Sequence, residues 1–99
     1  MKHKVEYSPE SRDHLKMLTK TERVTILDKV DAMLVDEPQV PTKNRKPMLP
    51  NPIATWELRI GALRVYYDIE TSPHPVVRIL AIGKKIRSEV HIGKEVVTL

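Results

Sequence analysis

A chain of 99 residues, 40% of them apolar but with no Phe and a single Trp, supports one small aliphatic core, and one domain spanning 1–99 is expected. The absence of cysteine excludes disulfides and thiolate chemistry, and no apolar run approaches the roughly 20 residues that span a bilayer, so no membrane partner is expected. The net charge of +4 is unevenly held: residues 1–42 carry seven Lys/Arg against eight Asp/Glu, whereas residues 43–99 carry ten against five, which points the second half toward an anionic partner.

Met1-Lys2-His3-Lys4 leads into only a brief apolar run, unlike a secretory signal, so a cytoplasmic location is expected. Lys4–Tyr7 alternates as a first strand would. Ser8-Pro9-Glu10 then starts a short helix, with a serine cap, proline at the first helical position and a carboxylate in the first turn. Leu15 and Leu18 form its apolar stripe. Thr19 and Glu22 have capping-box spacing and open a longer helix. Its apolar positions Ile26, Leu27, Val30, Met33 and Leu34 recur at helical spacing, and Asp28, Lys29 and Asp31 fall on the other side. Pro38 helps to end it.

Residues 38–52 hold five prolines around Lys43-Asn44-Arg45-Lys46. That density opposes regular hydrogen bonding, so a stiff, extended connection is expected that delivers three cations to one sheet edge. Residues 55–60 and 63–70 form a hairpin about Gly61-Ala62, with Trp56 as the largest core contributor. Thr71–Pro75 is a turn. Val76–Ile82 is almost wholly apolar, as in a central strand covered on both faces. Residues 90–97 allow a terminal hairpin about Gly93. The fold class is α+β: an antiparallel sheet of about four strands with two N-terminal helices packed on one face, in the order β-α-α-β-β-β.

Alternation along the hairpin puts Trp56, Leu58, Ile60, Val65, Tyr67 and Ile69 in the core and leaves Glu57, Arg59, Arg64, Tyr66 and Asp68 on the open face. Arginine suits phosphate because its planar fork binds in bidentate fashion and keeps its charge. Alternatively, Glu57 pairs with Arg59 or Arg64 and the cluster only solvates a sheet face. Lys84, Lys85 and Arg87 follow Gly83, either as further cations for a ligand or as a basic strand end that discourages edge pairing. His91, with an ordinary pKa of about 6.5, suits acid or base work. His3, His14 and His74 receive no role. No histidine pair has metal-ligand spacing, so no metal and no cofactor are expected.

Trp-Glu-Leu-Arg-Ile-Gly-x-x-Arg-Val-x-Tyr-Asp at 56–68 and Ile-Leu-Ala-Ile-Gly-Lys-Lys at 79–85 resemble the RelE-type toxins of the RelE/ParE toxin–antitoxin superfamily. The resemblance covers the chain from Lys4 onward. It implies a ribosome-dependent mRNA endoribonuclease, in which a ribose 2′-hydroxyl attacks its adjacent phosphate. Partners would be a cognate antitoxin, mRNA and ribosomal RNA. Arg64 falls at the position of the family's transition-state arginine, Lys85 at a second basic position, and His91 where many members carry a tyrosine or histidine beside the scissile phosphate. Thr55 and Glu57 stand where typical members carry a lysine pair, so Glu57 becomes the candidate base and His91 the candidate acid. Lys43, Arg45, Lys46, Arg59 and Arg87 would bind RNA backbone. Two other readings fit the same resemblance: a ParE-like inhibitor of DNA gyrase, and a catalytically decayed module that only pairs with its antitoxin.

Overall fold

Local capping sets both helices. In the computed structural model, which describes residues 2–98, Ser8 caps α1 (Pro9–Lys16) by accepting from the Ser11 amide at 3.1 Å. The first and last residues of the expected 1–99 domain lie outside the described residues. At the start of α2 (Lys20–Met33), the Glu22 amide donates to Thr19 Oγ1 and the Thr19 amide to Glu22 Oε1, closing a capping box. Ile26, Val30 and Leu34 form the buried seam of α2. Leu27, expected in the same stripe, is largely exposed, because a position one step round the helix from a narrow seam points past it.

Among the described residues the sheet has seven strands, where about four were expected: β1 (Lys4–Tyr7), β2 (Arg45–Pro47), β3 (Trp56–Ile60), β4 (Leu63–Glu70), β5 (Val76–Ile86), β6 (Glu89–Ile92) and β7 (Glu95–Val97). The order is β2-β3-β4-β5-β6-β7 with antiparallel neighbours, and β1 lies parallel against the first half of β5. The class is α+β as expected. The additional strand β2 comes from within the proline-rich stretch. It is a short edge strand, where a residue without an N–H is tolerated.

β5 is the backbone of the sheet. The β4–β5 register slips between Tyr66 and Tyr67, which face Ala81 and Ile79, so Leu80 is an extra residue. The bulge keeps Val77, Ile79 and Ile82 on one face with Leu58, Val65 and Tyr67, where Ile26, Val30 and Leu34 cover them. Trp56 is only partly buried there and stacks on Tyr67 with centroids 6.0 Å apart. The two tyrosines, rather than Trp56, are the largest fully buried side chains.

The opposite face has an apolar patch of its own. Ala54, Tyr66, Ala81, Val90 and Ile92 are buried there, with Met48 and Ile53 from the proline-rich loop packed on them. Tyr66 is therefore not on open surface. It lies on the expected face, but the returning loop covers it.

Candidate functional site

Cross-strand register assembles the site. On the face away from the helices, Lys46, Glu57 and Tyr66 form one row across β2, β3 and β4. Arg59, Arg64 and Gly83 form the next row across β3, β4 and β5, and Lys85 follows two residues further along β5. Opposite residues on one face stand close enough to interact, so Glu57 sits among three cations, Lys46, Arg59 and Arg64.

Glu57 is 8% exposed, and its Oε1 accepts from Arg59 Nε at 2.6 Å. One of the two ion pairs considered as an alternative is thus present. Arg64 is equally buried at 8%. Its Nη1 donates to the Gly61 and Leu63 carbonyls at 2.7 and 2.9 Å, which fixes the guanidinium against the hairpin turn. Gly61, at φ +57°, provides the left-handed corner this turn needs. The Tyr66 hydroxyl is buried with no hydrogen-bond partner among the described residues. Burial first, and then the nearby Glu57 charge, push the phenol well above its ordinary pKa, so it stays a neutral donor. Lys46, Arg59 and Lys85 are exposed.

The other candidates are placed elsewhere. His91 pairs with Lys84, and Lys84 pairs with Leu63, which places both on the helix-facing side. Lys84 Nζ reaches Glu22 Oε2 of α2 at 2.7 Å. Glu22 is held below the usual carboxylate range, mainly by that bond. The expected juxtaposition of His91 with Arg64 is therefore not formed, because the two side chains leave the sheet on opposite faces. Arg45 also points to the helix side, donating to Met33 O at 2.6 Å and Val40 O at 3.0 Å, where it ties down the end of α2. A cation at a helix C-terminus is favourable in its own right. Lys43 is exposed in the loop before β2. Arg87 occupies the β5–β6 turn at φ +60°.

Sequence reasoning passed over Asn51 and the wall it builds. Asn51 Nδ2 donates to Leu49 O and Ala54 O, while Oδ1 accepts from the Ile53 and Ala54 amides. Asp68 accepts from the Thr55 amide and hydroxyl, both at 2.7 Å, and pins the loop's return. The Asn51-Pro52 dipeptide was the available signal for an ordered turn. Among the described residues no group of three or more His, Cys, Asp or Glu side chains is arranged to hold a metal. No helix of the described residues is long and apolar enough to cross a membrane.

The sequence matches no protein-family model and no curated protein at a significant level. The structure does match a solved one, a chain of the toxin–antitoxin complex RelBE2 from Mycobacterium tuberculosis. The TM-score is 0.73 at 22% identity, over 86% of this chain and 100% of that chain. The fold is RelE-like. At that identity the likeness concerns architecture, and the RelE-like fold therefore supplies the frame on which the row of cations is built.

Proposed function

We propose that this protein is the toxin of a toxin–antitoxin pair and that it inhibits translation by cutting mRNA at the ribosome. One observation carries the reading: Lys46, Arg59, Arg64 and Lys85 share a single sheet face around Glu57. Support for an antitoxin partner comes from the fold's match to a chain of a toxin–antitoxin complex.

The chemistry follows from the positions. Glu57 takes the proton of a ribose 2′-hydroxyl, and that oxygen attacks the adjacent phosphorus. The P–O5′ bond breaks, leaving a 2′,3′-cyclic phosphate and a 5′-hydroxyl. Arg64, held rigid by the carbonyls of its own turn, offsets charge on the phosphoryl oxygens without reorganising. Lys85 is on the same face, and its ammonium supplies the proton to the departing 5′-oxygen. His91, on the other face, is not part of this set. Arg59 holds Glu57 at rest and transfers to the incoming nucleotide, which frees the carboxylate.

A non-cleaving toxin with a protein target, the ParE-like reading, is favoured by one observation: Glu57 is buried and already paired with Arg59. Induced expression of wild type and Arg64→Ala, with 5′ ends mapped on cellular mRNA, separates the two. New cuts in translated frames that disappear in the variant support the nuclease. Growth arrest without cuts moves the reading to a protein target.

A further inference from the structure

Beside Glu57 and Arg59 a cleft of about 410 Å³ opens, walled by Pro47, Met48, Leu49 and Pro50 with Lys46 at its rim. We infer that this cleft is a nucleobase subsite, seating the base of the nucleotide whose 2′-hydroxyl faces Glu57; this rests on the reading of Glu57 as the base.

Three observations converge on it. The wall is rigid. Asn51 makes four hydrogen bonds to the backbone of its own loop, the Met48 amide donates to Thr55 O at 2.9 Å, and Met48 and Ile53 are anchored on the apolar patch beneath. A loop held this way neither collapses into the cleft nor needs ordering when a ligand arrives. The wall is also apolar and uncovered, with Leu49 86% exposed between Met48 and Pro50. Finally, the lining is also cationic: it includes the Arg59 guanidinium, half-exposed and ion-paired with Glu57, and the Lys46 ammonium.

A nucleotide matches all three together. Its base has two flat faces, one for Leu49 and Pro50 and one for the Arg59 guanidinium plane, and its phosphate answers Lys46. An apolar peptide side chain would satisfy Leu49 but leave the Lys46 ammonium without a counterpart. With the base in the cleft, the ribose falls beside Glu57 and the 3′ phosphate lies toward Arg64 and Lys85, in the order in which the reaction uses them. The subsite thus makes binding depend on the base as well as on the phosphates.

The test uses the full chain labelled with nitrogen-15, titrated with a short oligoribonucleotide and with the same strand lacking its bases. The base-bearing strand is expected to shift the amide signals of Leu49 and Asn51 and the Arg59 Nε–H. Leu49→Ser, at a surface position that leaves the core intact, should weaken that strand roughly fivefold, the share expected of a partly covered apolar contact, and leave the baseless strand unchanged. Equal affinity for the two strands, no binding of either, or no effect of Leu49→Ser would each overturn the subsite. So would a Leu/Glu-rich peptide that shifts these amides when RNA does not. Cuts in cellular mRNA without base-dependent binding would sink the subsite alone. Base-dependent binding without cuts would sink the nuclease reading instead.

Discussion

Tyr66 and Tyr67 are neighbours on β4, both fully buried, and they point to opposite faces. The Tyr67 hydroxyl donates to Pro38 O at 2.8 Å, tying the start of the proline-rich stretch to the helix-side core. The Tyr66 hydroxyl has no such partner among the described residues. A buried polar group without a hydrogen bond costs free energy, whereas a satisfied one contributes a net stabilisation. Opposite outcomes follow for the same substitution. Tyr67→Phe should destabilise the fold by about 1 kcal/mol, and Tyr66→Phe should be neutral or stabilising by up to about 1 kcal/mol. Chemical denaturation of the two variants measures both. A loss of stability in Tyr66→Phe comparable to that in Tyr67→Phe would mean that Tyr66 is bonded in solution, with Glu57 as the acceptor.

At the scale of elements, α1 plugs a gap in the sheet. β1 pairs with β5 only as far as Ile79 and β6 only from Gly83, so the β5 edge between them has no strand partner among the described residues. The Ser8 amide donates to Ile79 O, the Ser8 hydroxyl to Leu80 O, and His14 Nδ1 accepts from the Ile82 amide at 3.2 Å. That last bond requires an unprotonated Nδ1. Burial lowers the His14 pKa below its ordinary value, against the opposing charges of Asp13 and Glu10 on α1 and Glu95 on β7. A histidine depressed in the folded state binds its proton more readily when unfolded. It therefore contributes stability that is complete above about pH 6.5 and is lost as pH falls from there through the folded pKa. Wild type should lose stability between about pH 7 and pH 5 more steeply than His14→Gln, read as the denaturation midpoint against pH. Equal slopes would remove His14 from that role. The caps at Ser8 and Thr19 were legible in the sequence because a cap is a property of four adjacent residues. The plug was not, because it depends on where two distant strands stop along β5.

At the scale of the whole molecule, the sheet divides two sets of cations: Arg45 and Lys84, bonded to the helices, and Lys46, Arg59, Arg64 and Lys85 on the opposite face. Hairpin alternation revealed Glu57, Arg59 and Arg64 on one face, since they lie on strands joined by a two-residue turn. The face of His91 was not legible, because it depends on the length of the β5–β6 turn. Arg87-Ser88 is also a two-residue turn, but a non-glycine residue at φ +60° leaves no signal of it in the sequence. Counting across that turn puts Lys85 with Val90 on the open face and Lys84 with His91 on the helix face. The adjacent lysines therefore make a test of the division itself. Lys84→Ala should cost roughly 0.5 kcal/mol by freeing Glu22, a modest amount because the pair is partly exposed, and should leave RNA affinity unchanged. Lys85→Ala should leave stability unchanged and weaken binding of single-stranded RNA. It should also reduce the slope of log K against log salt by about 0.7, the release expected for one lost phosphate contact on a single strand. Salt titrations of the two variants decide it. If both slopes fall equally, the two faces are not separate surfaces for RNA, and the helix side contributes to the same interface.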